Sequence, residues 1–177
     1  ADLMSQFNLL EEGLQAMGVV VWPMIEFEAD DALAAAAVLA AKDTSVDKVI
    51  ICTPDKDLSQ CVVSDKIVQL DRRKNETRDA DGIFTKYGVK PESIPDYLAL
   101  VGDTSDGYPG LPGWGSKGAS SVLSVYPHLE DIPKDPKEWA ASIRGSAKLA
   151  ETLFKAWDDV LLYRKLATLR TDAPVFT

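Results

Sequence analysis

Lys48-Val-Ile-Ile-Cys-Thr53-Pro-Asp55-Lys-Asp57-Leu58 places a short apolar run, rich in β-branched side chains, directly before two acids. Such a run, closed off by a proline, reads as a strand buried on both faces. Asp55 and Asp57 then stand just past its carboxyl end, and a short helix should follow to about Val62. Ile67-Val-Gln-Leu70 reads as the next strand. Upstream, Val19-Val-Val-Trp22 reads as another, and Ala29 to Lys42, dominated by alanine and leucine, as a strong helix. Strand, helix, strand, helix, strand predicts an α/β fold, a parallel sheet with helices on both faces. Ligands bind such sheets at the carboxyl ends of the strands, where these acids lie.

Ahead of this core, residues 3–17 predict an amphipathic helix with Leu3, Phe7, Leu10, Leu14 and Met17 on one face and Gly18 as its stop. Beyond Asp71 the character changes. Residues 81–87 and 92–101 predict helices, the first stopped by Gly88, and 119–126 predicts another. Between them, Gly102, Gly107, Pro109, Gly110, Pro112, Gly113, Gly115 and Gly118 crowd one compact turn. Residues 136–169 read as mostly helical with a break near Gly145. The expected organisation is an α/β core over 1–78 and a helical subdomain over 79–177.

With 46% hydrophobic and 27% charged residues, the composition is that of an ordinary soluble protein. No apolar run nears the roughly 18 residues that span a bilayer, so no membrane role is expected. Cys52 and Cys61 sit in apolar stretches and predict buried, reduced thiols in a cytoplasmic protein. The single histidine, His128, removes histidine-based acid–base chemistry and Cys/His zinc sites from consideration. The formal charge of −9 argues at first against a nucleic-acid partner. Its distribution does not: residues 1–60 hold eleven acids against three lysines, whereas residues 134–170 hold eight basic side chains against five acids. Bound cations would cancel the acidic excess, and the basic end could follow a phosphate backbone.

Seven carboxylates fall in three clusters: Glu28, Asp30 and Asp31; Asp55 and Asp57; Asp103 and Asp106. Acids so crowded repel one another and shift towards protonation unless a positive charge sits among them. Hard divalent ions such as Mg²⁺ take oxygen ligands and leave part of their shell to water and phosphate. Helix-dipole complementarity alone would explain acids at the start of residues 29–42, and an N-cap would explain one of Asp55 and Asp57 but not the pair. Gly102-Asp-Thr-Ser-Asp106-Gly-Tyr-Pro-Gly-Leu-Pro-Gly-Trp-Gly-Ser-Lys-Gly-Ala119 is the most specific stretch. Its glycines let backbone approach a phosphate, and the helix that follows offers free N–H groups to an anion. Lys117 adds a mobile charge, and Trp114 reads as a core anchor of the turn.

Phe27-Glu-Ala-Asp-Asp31, Thr53-Pro-Asp-Lys-Asp-Leu58, Lys86-Tyr-Gly-Val-Lys-Pro91 and Asp96-Tyr-Leu-Ala-Leu-Val-Gly-Asp103 together resemble the 5′-nuclease family, most closely the 5′→3′ exonuclease domain of bacterial DNA polymerase I. The resemblance runs from about residue 5 to residue 176. It implies a PIN-like, resolvase-like core followed by a helix–three-turn–helix element at about 92–126. It also implies that Glu28, Asp30, Asp31, Asp55, Asp57, Asp103 and Asp106 bind metal, with Glu28, Asp30, Asp55 and Asp57 at the centre of catalysis. Gly113, Gly115, Ser116, Lys117 and Gly118 would grip DNA. Two Mg²⁺ or Mn²⁺ ions are implied, with a K⁺ ion at the glycine turn.

Gly107 stands where the family usually has Asn, and Gly118 where it usually has Thr. The family's first strand, with its leading Asp, and most of its basic arch have no counterpart here, so the chain reads as part of a longer protein with apolar sheet edges exposed. The implied reaction is hydrolysis of 5′-flapped, nicked or 5′-ended duplex DNA, or of an RNA–DNA hybrid, by a monomer. Two other readings compete: a non-catalytic duplex-binding module, and a small acid-lined phosphohydrolase, which would leave the glycine turn and basic tail unexplained.

Overall fold

A computed structural model describes residues 3–176. Its elements are α1 (Phe7–Ala16), α2 (Ala29–Lys42), β1 (Val49–Ile51), β2 (Ile67–Asp71), β3 (Glu76–Arg78), α3 (Ala80–Tyr87), α4 (Ile94–Val101), α5 (Ser116–Leu123), α6 (Ser146–Lys155) and α7 (Trp157–Ala167), with short 3₁₀ turns between several of them. β1 and β2 pair in parallel, Val49 opposite Ile67, so the segment between them crosses over from one end of the sheet to the other. β3 then folds back antiparallel on β2, so the sheet is mixed rather than wholly parallel. The returning strand had a local signal. Asp71 Oδ1 accepts hydrogen bonds from the N–H groups of Arg73 and Lys74, and Asn75 adopts φ +51°, which together turn the chain.

The strand expected at Val19–Trp22 does not form. Val19 and Val20 are exposed, while Trp22 packs with Met24 and Phe27 over Ala32, Ala35 and Ala36 of α2 and meets Phe176 edge-on at 5.0 Å. Trp22, the end of the apolar run, covers a helix instead of joining the sheet. The predicted N-terminal helix is present, but none of its residues is buried. β1 is an edge strand, and Ile50 is 53% exposed. Alanine enrichment in α2 has a packing reason: small side chains let Ala34 and Ala37 close on Ile51, Leu58, Cys61 and Ile67. Cys61 is buried as expected, but Cys52 is exposed, because it follows the last paired residue of β1.

The largest core belongs to the helices from α3 onward, with Leu98, Leu100, Val122, Leu129, Leu153 and Val160 at its centre. Trp114 is buried, its indole N–H donating to the Leu149 carbonyl and to Thr152 Oγ1, which confirms it as the anchor of the turn. His128, expected in a loop without special partners, instead shares buried Asp96 with Arg164, at 3.0 and 3.2 Å. Arg164 also makes two bonds to Glu130. Asp96 thus ties α4 to α7 and to the 128–131 turn. Burial pushes its carboxyl up, and the hydrogen bonds with His128 and Arg164 oppose that rise.

Candidate metal centre and glycine turn

β1 delivers the chain to Thr53, and a ladder of local bonds then shapes the acid-bearing turn. Thr53 Oγ1 accepts from the Asp55 N–H and Asp55 Oδ1 from the Asp57 N–H. From beneath, fully buried Gln69 of β2 donates to the Asp55 carbonyl and accepts from Ser59 Oγ. A glutamine inside the apolar run 67–70 is the trace that this buttress leaves in the sequence.

α4 ends at Gly102, and the backbone pair Asp103–Tyr108, bonded both ways at 2.9 and 3.0 Å, closes a small loop that carries Asp103 and Asp106. Asp103 Oδ1 accepts from the Ser105 N–H, which leaves Oδ2 for the site. The fold thereby joins sequence clusters that lie far apart in the chain. Asp30, Asp55 and Asp57 bring ligand oxygens within 4.8 Å of one another, and so do Asp57, Asp103 and Asp106. Asp57, only 9% exposed, belongs to both triads.

Glu28 and Asp31 fall outside these triads. Asp31 Oδ2 accepts from the Glu28 N–H in a reciprocal cap of α2, and its Oδ1 accepts from the Arg170 N–H, binding the C-terminal segment to the helix. Their charges still reach the site. Burial and the charges of Asp55, Glu28, Asp106 and Asp31 push Asp30 up to about 6. Burial pushes Asp57 up to about 7, with Asp55 and Asp106 adding to the rise and Lys56 opposing it. Burial works the same way on Asp103, but Lys56 and the N–H groups of Ser105 and Asp106 outweigh it and hold that carboxyl low.

These features fit a divalent ion. Among the described residues Asp57 Oδ1 is buried without a hydrogen-bond partner, Asp103 Oδ2 meets only the Lys56 ammonium, and the Asp30 and Asp57 carboxyls are pushed towards neutrality. An all-oxygen, carboxylate-rich donor set suits a hard cation. Sequence reasoning missed two neighbours. Lys56 Nζ lies against Asp103 Oδ2 and 3.9 Å from Asp57 Oδ1. Tyr108 is buried with its hydroxyl unpartnered among the described residues, and burial together with the charges of Asp57, Asp103 and Asp106 raises its phenol. An aromatic two residues after Asp106 was the only hint of the second.

On the other side of the turn, Gly113, Gly115, Ser116 and Lys117 are exposed and Gly118 is half-buried. Gly115 is the N-cap of α5 and contributes no side-chain cap, so the helix's first N–H groups remain open to an anion. Arg144 and Lys148 line a cavity of about 280 Å³ with Gly113 and Gly118. Lys86 and Lys117 line another, of about 560 Å³, with Ser116, Ser120 and Ser124. Part of the basic tail therefore does meet the glycine turn. Arg164 and Arg170 do not, being engaged by Glu130 and Asp172.

Both departures in the turn are physically mild. Gly107 has φ +82° with nothing within 4 Å of a Cβ, a conformation that Asn also tolerates. A Cβ on Gly118 would meet only Leu149 Cδ2, at 3.9 Å. Gly118→Ala should therefore stabilise the protein by about 0.5–1 kcal/mol through helix propensity. A urea titration reads this directly, and a loss of stability would mean that the helix packs more tightly there than described.

Two family models match: 5′-3′ exonuclease, N-terminal resolvase-like domain, over residues 1–88, and 5′-3′ exonuclease, C-terminal SAM fold, over residues 89–177. DNA polymerase I of Bacillus caldotenax is 35% identical over 177 residues, covering 98% of this chain and 19% of that protein. The 5′-3′ exonuclease of Aquifex aeolicus is 34% identical over 171 residues, covering 96% of this chain and 55% of that protein. Among solved structures, bacteriophage T5 D15 flap endonuclease, in a complex with DNA and metal ions, superposes with a TM-score of 0.72 at 19% identity, covering 90% of this chain and 56% of the phage protein. The catalytic core of Rad2 with DNA substrate gives 0.58 at 20% identity, covering 98% and 60%. The chain thus spans about a fifth of the polymerase's length and just over half of the exonuclease's.

Proposed function

The chain belongs to the 5′-3′ exonuclease family, and from that premise we propose that it is a metal-dependent, structure-specific 5′-nuclease acting on DNA. The observation that carries this reading is the pair of acid triads sharing Asp57, set beside an exposed glycine turn that opens a helix. Asp30, Asp55 and Asp57 would hold one divalent ion, Mg²⁺ or Mn²⁺, and Asp57, Asp103 and Asp106 a second. Bound there, such ions lower the pKa of a water and offset negative charge on a phosphodiester.

The chain's own residues do the rest. Gln69 and Ser59 keep the Asp55–Asp57 turn rigid, so that the carboxylates need no reorganisation. Asp31 keeps the start of α2, and with it Asp30, in place. Glu28 adds negative charge at the rim. Gly113, Gly115, Ser116, Lys117 and Gly118 would take the sugar–phosphate backbone of a duplex, with Arg144 and Lys148 behind them, and K⁺ would bind at the same turn. A duplex held there, with a 5′ end or flap brought to the acids, is the substrate class that both halves satisfy. Among the described residues no helix is long and apolar enough to cross a membrane, and the free Cys52 and Cys61 fit a cytoplasmic setting.

An end-labelled 5′-flap DNA, incubated with Mg²⁺ or with chelator, tests the reading. Cuts near the junction that need Mg²⁺ support it. Binding with no cuts at any divalent ion concentration would leave a duplex-binding module, and cleavage of a generic aryl phosphate alone would favour the phosphohydrolase.

A further inference from the structure

Lys56 lies between the two acids of the central turn, and its ammonium folds onto Asp103 from the other sequence cluster. Of the two buried carboxylate oxygens it faces, Asp103 Oδ2 has the ammonium directly against it, and Asp57 Oδ1, 3.9 Å away, has no hydrogen-bond partner among the described residues. Both belong to members of the Asp57/Asp103/Asp106 triad, whose ligand oxygens lie within 4.8 Å of one another. The described ion pairs engage Asp103 and Asp57 but neither Asp30 nor Asp55, so the Asp30/Asp55/Asp57 triad meets this ammonium only at the shared Asp57, at 3.9 Å.

We propose that Lys56 is a tethered counter-ion of the Asp57/Asp103/Asp106 triad, which a divalent ion must displace in order to bind there. The inference rests on the reading of these acids as cation ligands. Three carboxylates within 4.8 Å repel one another, and a single ammonium relieves that repulsion without filling a metal's coordination shell. Lysine suits the role because it is a compact point charge on a flexible stem. Its side chain is 37% exposed, so it can swing out to solvent when replaced. Two consequences follow. The two triads should bind cations with unequal affinity, the Asp30/Asp55/Asp57 triad first. Two positive charges should displace Lys56 where one does not, so K⁺ at the same concentration leaves it in place.

Mn²⁺ titration of the chain, followed through the spin-resonance signal of the free ion, tests this without any reaction. Lys56→Met keeps the stem and removes the charge, and should tighten the weaker binding step by roughly tenfold or more, given how strongly a charge acts at such a distance. Lys56→Arg keeps the charge and should stay close to wild type. In the wild-type chain, Mn²⁺ should raise the rate at which an amine-reactive reagent labels Lys56, as measured by mass spectrometry, while K⁺ should not. This second readout holds even if a variant folds poorly. Unchanged or weaker Mn²⁺ binding in Lys56→Met, or labelling indifferent to Mn²⁺, overturns the inference while leaving the metal centre standing. No Mn²⁺ bound by either chain removes both.

Discussion

Asp57→Asn is expected to lower flap-cleavage turnover by at least about 10³-fold, because it removes a ligand common to both triads and with it the charge stabilisation a metal centre supplies. Duplex affinity should hardly move, since the glycine turn and its basic neighbours are untouched. The same substitution should stabilise the cation-free protein at neutral pH, and this separates a metal-site role from a merely structural one. Asp57 titrates near 3.8 when unfolded and is pushed up to about 7 by burial when folded. Between those values the folded state binds more protons than the unfolded one, so stability falls as pH rises from about 4 to about 7. Asp30, raised to about 6, acts in the same direction. Asn carries no charge at any pH, so the variant should lose most of this slope. A divalent ion should flatten it in the wild type by binding the ionised carboxylates. Urea titrations at pH 5 and pH 8, with and without Mg²⁺, check the sign. Retained turnover in Asp57→Asn would remove the assignment outright.

Much of this site was legible before any coordinates. The apolar run before Asp55, the opening of α2 and the run through Asp103 to Asp106 are local patterns, and local patterns survive folding. Residues that act from a distance were not legible. Gln69 supports the acid turn from the neighbouring strand, and Lys56 reaches an acid 47 positions away, in contacts that no spacing rule encodes. The strand expected at Val19–Trp22 failed for the opposite reason. Its composition was right, but composition does not fix where a side chain packs: Trp22 joins Met24 and Phe27 on the alanine face of α2, and Val19 and Val20 stay exposed. Asp31 shows a third kind of limit. Its type and position matched those of a ligand, but no pattern in the sequence revealed that its oxygens also serve the cap of α2 and the Arg170 N–H.

The glycine turn yields the second large effect. Gly102→Ala is expected to cost about 3 kcal/mol or more, combining a backbone region almost reserved for glycine with a steric collision. Gly102 has φ +89°, and a Cβ there would lie 2.4 Å from the Pro109 carbonyl oxygen. The approach is mutual, since a Cβ on Gly110 would lie 2.4 Å from the Gly102 nitrogen. This contact draws the end of α4 against the far side of the 103–108 loop, and the Asp103–Tyr108 bridge depends on it. Relief of the collision must shift the backbone beside Asp103 or the 109–110 segment facing it, so Mn²⁺ affinity should fall along with stability. Gly107→Ala is the control. It has a similar φ of +82° but open space around its Cβ, and should cost only about 1–2 kcal/mol. Equal losses in the two variants would mean that backbone conformation alone sets the effect, and that close packing of Gly102 against Pro109 and Gly110 is not what holds Asp103 in the site.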